Sequence, residues 1–407
     1  MNKLLRNIFI FILIIVFIMA FSSSHFSLSI DNLAYVLAIA VDKTEQNTLE
    51  VTFQFSLATP VTESGSTDQN PYFTNSVTTS SISNAINLID GYIGKRINLS
   101  HCKIIVFSEE LASDGISNHI YTLINDTQVR PSANIVISKC SAKKYLESVN
   151  PDFETLLARY YEIFTNSSKY TGLLPDATIG EFFHRLISPT NEPYAMLGGL
   201  STENSNDQNI GTPQNNYSVK SNESSLKGTN GVENVGVAAF KDDKLVGELN
   251  AMETISLLSM RNELDEFLIS IPDPLNENQY LDIYLTPTTS TNIDIDTTTN
   301  SPYIKIKFKF AGRIYSMAEN SKYLEPEVLD KISSNCNSYL ESTFSDYVYK
   351  TAKEFKSDIN GFGKKALANF FTTQDFENYD WLENYKNAFF DVSVDTLVKS
   401  GMLITET

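Results

Sequence analysis

The first pair of side chains that could do chemistry is a histidine next to a cysteine. A thiol and an imidazole that meet in space make a nucleophile with its base. His101 and Cys102 are adjacent at the start of a predicted strand, where successive side chains point to opposite faces. We therefore interpret both as structural residues. His119 and His184 stand alone on predicted helices, without neighbours at metal-ligand spacing.

A glycine-rich stretch near the C-terminus has the letters of a dinucleotide-binding fingerprint. Residues 361–366 read GFGKKA. That fingerprint works where a strand passes into a helix, because free backbone N–H groups then meet the pyrophosphate. Here the stretch follows a long predicted helix. We therefore interpret Gly361 as a helix terminator and predict no nucleotide site.

Two acidic pairs could supply a general acid and a general base. Glu109-Glu110 lies where a predicted strand passes into a helix, and carboxylates there favour the helix dipole. Asp242-Asp243 occupies a predicted hairpin turn, where aspartate is common. The sequence also lacks the His-Glu-x-x-His motif, the phosphate loop and the Gly-x-Ser-x-Gly elbow. We predict no enzyme activity, no metal and no cofactor.

The amino-acid composition limits the classes of molecule that the protein could bind. The 407 residues include 49 acidic and 31 basic side chains, a net charge of −18. Nucleic-acid binding needs a basic surface, so this balance argues against it. The three cysteines, Cys102, Cys140 and Cys336, have no metal-site spacing. Export would permit one disulfide among them, but free, buried cysteines are the favoured interpretation.

The N-terminus is typical of an exported chain. Lys3 and Arg6 precede an uninterrupted apolar run from Ile8 to Phe21, which is the arrangement of a secretory signal. Fourteen residues are few for a membrane span, although apolar residues beyond the following serines could prolong the run. A cleaved signal and an uncleaved anchor are both open. Either one places the rest of the chain outside the cytoplasm.

Hydropathy patterns predict the elements that must position these residues. Leu33–Asp42 is a continuous apolar run and Thr48–Ala58 alternates, so the two predict a hairpin. Pro60–Thr79 is rich in Ser, Thr and Asn and predicts a loop. Short strands and helices then alternate, which predicts helices covering a sheet. These are a helix from Ile82, strands at Lys103–Phe107 and Ala133–Ser138, and helices near Glu109–Ala112, Ile116–Asn125 and Ala142–Val149.

The second half of the chain contains a strand with an unusual pattern. In Tyr303–Ile314, apolar residues alternate with Lys305, Lys307 and Lys309. The lysines indicate either a sheet edge or a solvated sheet face. The other predicted elements are strands at Val235–Phe240, Lys244–Leu249, Leu281–Leu285 and Phe389–Val398, and helices at Ala251–Met260 and Glu325–Ile359.

The fold class that follows is mixed α/β (α+β), with several domains, mixed or antiparallel sheets flanked by helices, and no single superfold. We predict five parts. They are a signal or anchor segment (1–29), an N-terminal α/β domain (30–150), a small, mainly helical unit (151–200), a flexible linker or loop (201–230) and a C-terminal α/β domain (231–407). Whether the helical unit is separate or part of the N-terminal domain is open.

Four stretches of the chain form a recognisable series. Residues 30–42 read IDNLAYVLAIAVD, and residues 97–110 read INLSHCKIIVFSEE. Residues 236–249 read GVAAFKDDKLVGEL, and residues 356–363 read KSDINGFG. In this order and spacing, which run through the exported portion, they resemble the Ger(x)C family, the C subunits of spore germinant receptors. They look like that family's first strand, its strand and acidic segment, the hairpin at the start of its C-terminal domain, and its signature near the end of the long helix.

The resemblance also exposes a departure. Family members carry a lipobox cysteine about five residues before the acidic position that precedes the first strand, and Ser24 stands at that place here. The lipid is attached through a thioether, so serine cannot accept it. We therefore hypothesise that this protein is not lipidated and that Phe9–Phe21 holds it as an uncleaved anchor.

The resemblance implies a binding and assembly protein on the outer face of the spore inner membrane, beside integral-membrane A and B subunits. A nutrient ligand is compatible with that role. As interaction surfaces we predict the acidic turn at Asp242 and Asp243, and the strand that carries Lys305, Lys307 and Lys309. The alternatives are an extracytoplasmic hydrolase, which needs a pocket with perturbed titratable groups, and a stand-alone solute-binding protein, which needs a deep cleft.

Overall fold

Two β-sheets with flanking helices make up the protein, which confirms the mixed α+β class. The computed structural model describes residues 3–22, 32–46, 48–56, 72–151, 154, 156–201, 218–223, 230–276, 279–316, 323 and 325–399. Ser24 and most of the predicted linker lie outside these residues. No helix among the described residues combines the length and the apolar character that crossing a bilayer requires.

The first sheet contains nine described strands in the order β3-β2-β1-β5-β6-β7-β8-β9, with β4 beside β1. The central strands β1, β5, β6 and β7 run parallel, and the outer pairs are antiparallel. The strands are β1 (Leu33–Lys43), β2 (Leu49–Ser56), β3 (Tyr72–Thr79), β4 (Arg96–Asn98), β5 (Ile104–Ser108), β6 (Asn134–Ser138), β7 (Tyr194–Leu200), β8 (Val232–Lys241) and β9 (Lys244–Leu249).

Continuous apolar runs in the sequence account for the parallel strands at the centre of the first sheet. Residues 36–42 of β1 are buried, as are all of β5 and β6, because helices cover a parallel sheet and leave its strands no solvated face. The helices of this half are α1 (Lys3–Ser22), α2 (Ile82–Ile93), α3 (Glu109–Asp114), α4 (Ser117–Asn125), α5 (Ala142–Ser148), α6 (Leu157–Ile163), α7 (Ser168–Thr171) and α8 (Ile179–Leu186).

The second sheet has five described strands in the order β10-β11-β13-β12, with β14 on the other side of β13. Its strands are β10 (Phe267–Pro272), β11 (Tyr280–Pro287), β12 (Asn292–Asp296), β13 (Tyr303–Ser316) and β14 (Phe389–Lys399). The helices are α9 (Ala251–Arg261), α10 (Pro326–Tyr349), α11 (Phe362–Ala366), α12 (Thr373–Tyr379) and α13 (Trp381–Tyr385).

The long helix α10 both covers the second sheet and closes its edge. Phe344 packs on Phe308 with ring centroids 4.8 Å apart. Along the free edge of β14, side chains at a spacing of four residues accept hydrogen bonds from alternate strand N–H groups. Ser333, Asn337 and Glu341 bind the N–H groups of Val398, Thr396 and Val394 at 3.1, 2.8 and 2.9 Å. This helix therefore protects an edge that could otherwise pair with another strand.

Two expectations about local structure are wrong. Tyr72–Thr79, predicted as part of a loop, is strand β3, paired antiparallel with β2 along its whole length. The strand with the lysines, β13, is not an edge, because β11 and β12 pair with one side and β14 with the other. The second interpretation of its pattern holds, because Lys305, Lys307 and Lys309 lie on the solvated face.

The helix-terminator interpretation of Gly361 is also wrong. After α10 the chain makes a π-helical turn at Lys350–Phe355, and Lys356 ends it in the left-handed conformation with φ of 53°. Gly361, with φ of 79°, lies immediately before α11 instead. The stretch between them is an ordered loop. We use the name junction loop for residues 356–363, which include the first two residues of α11.

The hairpin of β8 and β9 follows the predicted linker and was expected to open the C-terminal domain. Its strands pair antiparallel with each other and β8 pairs with β7, so they complete the first sheet. Helix α9 then leads to the second sheet. It begins at a capping box in which Asn250 accepts the N–H of Glu253, and the Glu253 side chain accepts the N–H of Asn250.

Candidate functional site at the junction of the two sheets

The cysteine and histidine residues do not form a nucleophilic pair. The Cys102 thiol is buried and directed at the carbonyl of Ile104, and burial raises its pKa to about 12. His101 is exposed and packs edge-on against Tyr35. All three cysteines are free, with Cys102 and Cys336 buried and Cys140 half-buried.

The two other histidines that the structure describes, His119 and His184, have no grouped metal ligands around them. His119 lies against Phe107, and burial lowers the pKa of its imidazole. His184 packs beside Phe183 on α8. Within the described ranges, no group of three or more histidine, cysteine or acidic residues could hold a metal ion.

The acidic turn at Asp242 and Asp243 lies between β8 and β9, as predicted, but it is largely engaged within the fold. The Asp243 carboxylate accepts bonds from the Ser117 backbone N–H at 3.2 Å and hydroxyl at 2.6 Å, which stabilises the start of α4. Asp242 has a φ of 54°, and its N–H donates to the Glu192 carboxylate at 2.7 Å. An interaction through this turn stays a prediction, with the exposed Asp242 side chain as its accessible part.

Two of the three lysines of β13 lie directly opposite acidic residues on neighbouring strands. Lys305 is in register with Asp294 on β12 and Asp391 on β14, and Lys309 is in register with Asp395, whereas Lys307 faces uncharged polar residues. Opposite charges in such pairs stabilise a sheet. That arrangement gives Lys305 and Lys309 a structural role, and binding by this face stays a prediction.

The junction loop contains a fully buried carboxylate that organises its own surroundings. Asp358 accepts hydrogen bonds from the backbone N–H groups of Gly361, Phe362 and Gly363 at 2.9, 3.1 and 2.9 Å. The indole N–H of Trp381 adds a fourth at 2.8 Å. Burial raises the pKa of this carboxyl and the four donors oppose the rise. The N–H groups that a pyrophosphate would need are therefore occupied from within the chain.

The same loop ties the two sheets together. The backbone carbonyls of Asp358 and of the next residue, Ile359, bind the first half of the chain. The Asp358 carbonyl accepts the N–H of Glu192 at 3.0 Å, and the Ile359 carbonyl accepts Nη1 of Arg185 at 3.1 Å. Farther along the loop, Asn360 accepts the Tyr347 hydroxyl at 2.7 Å, which fixes it to α10. The junction loop thus connects α8 and the β7 region with the helices of the second sheet.

Two arginines flank one buried tyrosine beside this loop. The guanidinium carbons of Arg185 and Arg261 lie 4.5 and 5.4 Å from the ring centroid of Tyr194. Arg185 also binds Glu181 through Nε at 3.0 Å, and Arg261 binds Glu263 at 2.6 Å. Such stacking is strong where water is excluded, so these contacts fix α8 against the end of α9.

Glu192 has an unusual protonation equilibrium at the same place. Its side chain is buried, and burial raises its pKa to about 7, with the nearby Asp242 and Asp358 carboxyls adding to the rise. The hydrogen bond from the Asp242 N–H and the charge of Lys241 act in the opposite direction. The junction thus contains two buried carboxyls with raised pKa values, and neither forms an ion pair with a basic side chain of the described residues.

A crevice opens next to the arginine pair. It has a volume of 520 Å³ and is lined by residues from α7, α8, β7 and the end of α9, among them Thr178, Tyr194, Leu258, Arg261 and Asp265. Burial and the neighbouring Glu263 raise the pKa of Asp176, another lining residue. Most of the residues that line the crevice are charged or polar.

Comparison with known proteins identifies the chain. The family model described as "Spore germination protein N-terminal domain" matches residues 27–198, and "Spore germination B3/ GerAC like, C-terminal" matches residues 235–401. The chain belongs to the Ger(x)C family. It is therefore a spore germination protein of the kind that forms germinant receptor C subunits, and the resemblance found in its sequence is confirmed.

Individual relatives of this Ger(x)C chain are distant but span most of its length. It is 20% identical to the putative spore germination protein YfkR of Bacillus subtilis (strain 168), covering 93% of this chain and 92% of the relative. It is 22% identical to spore germination protein KC of the same organism, covering 82% and 80%. A crystal structure of the GerBC protein aligns with a TM-score of 0.48 and 16% identity over 88% of this chain and 96% of that one.

The junction contains both residues that the sequence singled out and residues that it did not. Asp358 and Gly361 lie in the stretch 356–363 that carried the Ger(x)C resemblance. Arg185, Glu192 and Tyr194 were not singled out, because each is an isolated polar or aromatic residue without a motif around it. One signal was available at Thr190-Asn191-Glu192-Pro193, a polar run between helix α8 and the buried strand β7. These polar residues are buried, which an ordinary surface turn does not require.

Proposed function

We propose that this Ger(x)C protein is a non-enzymatic C subunit of a nutrient germinant receptor and acts in its assembly and signalling. Its partners would be the A and B subunits, on the outer face of the spore inner membrane. The observation that carries the proposal is the match of both family domains, in order, over residues 27–198 and 235–401.

The junction loop supports a role in signalling. Ile359 and Asp358 bind the first half of the chain through their carbonyl groups, and Asn360 binds α10 in the second. A partner that displaces one sheet would therefore also move the other, because buried hydrogen bonds join the two. Breaking these bonds would leave buried polar groups unpaired, which costs free energy. This continuity suits a subunit that transmits a change between neighbours in a complex.

Deletion of the gene tests the proposal. We expect spores without it to lose germination in response to at least one nutrient, while a chemical trigger that bypasses nutrient receptors still works. Germination can be followed by the loss of optical density, and the intact gene supplied in trans should restore the response. Unchanged nutrient responses in a strain without related genes would contradict a receptor role, and a slowed bypass response would favour the hydrolase alternative.

We further propose that the N-terminal segment attaches the protein to the membrane as an uncleaved anchor. Because α1 alone lacks the length and apolar character of a bilayer span, the apolar residues that follow Ser24 in the sequence would prolong it. The described side chains of residues 8–17 are all apolar and are between 37% and 64% exposed, so they have no core of their own. Lys3 and Arg6 would stay on the cytoplasmic side. Serine at position 24 excludes thioether lipidation there.

Mass spectrometry of the native N-terminus tests the anchor. We expect the membrane fraction of spores to yield a chain that keeps residues 8–21 and carries no lipid. A Ser24→Cys variant provides the matched comparison, since it restores the lipidation residue without altering the apolar run. A mature terminus near residue 25, in protein released from membranes, would contradict the anchor.

A further inference from the structure

Two buried side-chain donors at the junction have no hydrogen-bond acceptor among the described residues. They are Nη2 of Arg185 and Nδ2 of Asn191. Both residues are almost completely buried, at 2% and 1% exposure. Leaving one such donor unsatisfied costs about 1–3 kcal/mol, so native proteins rarely keep two of them together without an acceptor.

A third donor lies near them, beside Gly361. The point where a Cβ would stand on this glycine is 3.8 Å from Cβ and Nδ2 of Asn191 and 3.9 Å from Nη1 of Arg261, which is van der Waals contact. Arg185 reaches the same region, because its Nη1 donates to the carbonyl of Ile359, two residues before Gly361. We call Arg185, Asn191 and Arg261 the donor cluster.

The acidic groups around the donor cluster are directed at other partners. Asp358 accepts four bonds within the junction loop, and Glu192 accepts the N–H of Asp242. Glu181 binds Nε of Arg185, and Glu263 binds Arg261. None of these contacts satisfies Nη2 of Arg185 or Nδ2 of Asn191. The acceptor that would satisfy them therefore has to come from outside these carboxylates.

We propose that the donor cluster binds a carboxylate group supplied by another molecule. Guanidinium and amide N–H groups suit the two oxygens of a carboxylate, and charge-assisted bonds of this kind are the stronger ones. The neighbouring acidic residues repel a dianion more than a monoanion, so a carboxylate is preferred to a phosphate. Of the three residues, Arg261 alone is among those that line the 520 Å³ crevice, so a carboxylate would enter the donor cluster from the side of this arginine. This site is independent of the proposed receptor role.

Tryptophan fluorescence offers a direct test, because Trp381 is the single tryptophan of the chain. Its indole N–H binds the Asp358 carboxylate, which also holds the Gly361 N–H. We expect sodium acetate, titrated into the full chain in detergent, to change this emission saturably, whereas sodium chloride at the same ionic strength does not. A linear response, an equal response to chloride or a tighter response to phosphate would overturn the proposal.

Two variants with the same charge change make the test specific. Asn191→Asp replaces the buried donor by an acceptor of nearly the same shape, and we expect it to weaken acetate binding at least tenfold. Asn387→Asp places the same charge on an exposed turn after α13 and should bind like the unmodified chain. Equal weakening in both would overturn the proposal. If Asn191→Asp does not fold, the acetate and chloride titrations of the unmodified chain still decide.

The source of the carboxylate is distinguished by a short peptide with a free C-terminal carboxylate, compared with its C-terminal amide. Binding of the peptide acid more tightly than acetate, with no binding of the amide, assigns the carboxylate to a protein partner. Binding of acetate as tightly as the peptide acid, again with no binding of the amide, assigns it to a small molecule. Equal binding of peptide acid and amide overturns the proposal.

Discussion

Replacement of Asp358 by alanine is expected to destabilise the folded chain by more than about 3 kcal/mol. The change removes the carboxylate that accepts three backbone N–H groups and the Trp381 indole. The donors of Phe362, Gly363 and Trp381 would remain in a region that is closed to water, because these residues are buried. The junction loop would lose its conformation, and with it the contacts of Ile359 to the first half of the chain.

Urea unfolding of the full chain in detergent measures this effect, with Trp381 emission reporting the junction. Asp391→Ala is the control, since Asp391 lies on the solvated face of β14 and loses only its surface contacts with Lys305 and the Tyr303 hydroxyl; its effect should stay within about 1 kcal/mol. Asp358→Asn should fall between them, because the amide keeps one acceptor but turns an NH₂ group toward donors. Equal midpoints for Asp358→Ala and Asp391→Ala would show that the carboxylate does not organise the loop.

Replacement of Glu192 by glutamine is expected to stabilise the protein at pH 8 and to change its stability much less at pH 5. Burial raises the pKa of this carboxyl to about 7 in the folded chain, against about 4.3 when unfolded. The folded state therefore binds more protons in this interval, so the stability of the unmodified chain falls as the pH rises from about 4.3 to 7. A neutral glutamine has no such loss and can still accept the Asp242 N–H.

The difference between the two stabilities, measured from pH 4.5 to 8.5, isolates this group from other titrating residues. We expect it to reach up to about 3 kcal/mol above pH 7. Glu377→Gln on the exposed face of α12 makes the same charge change and should give a difference near zero throughout. A Glu192→Gln variant that loses stability most at high pH would indicate a stabilising charge and reverse our assignment.

The regular parts of the fold could be predicted because their patterns follow from simple geometry. Continuous apolar runs predicted the buried strands β1, β5 and β6, and strict alternation predicted β13. The hairpin of β8 and β9 was predicted from its aspartate turn. In each case the relevant neighbours are set by the strand itself, since side chains two residues apart share a face.

Elements that depend on distant neighbours could not be predicted in this way. Strand β3 reads YFTNSVTT, a polar composition that pairs because β2 offers it a free edge. Strand β7 contains Gly198 and Gly199, which suggest a turn. A Cβ on Gly198 would lie 2.7 Å from Val136 and 2.8 Å from the Tyr145 ring, so glycine is required there by packing across the sheet.

The position of β13 in the interior of its sheet and the residues of the candidate site could not be predicted, for a related reason. Alternation of lysine with apolar residues reveals which face of a strand is solvated, but not how many strands pair with it. At the junction, Arg185 and Ile359 are joined across 174 residues of sequence. No local pattern marks such a contact, and only the stretch 356–363 was recognisable, through its resemblance to the family.

The hairpin of β8 and β9 has a consequence for anyone who dissects this protein. The N-terminal family domain ends at residue 198, within β7, and the C-terminal one begins at 235, within β8. Because β8 pairs with β7, a fragment cut at that border would keep a bare hydrogen-bonding edge, which invites aggregation. An autonomous N-terminal fragment has to include residues up to 249. The boundary between the two family domains and the end of the first sheet therefore differ by two strands.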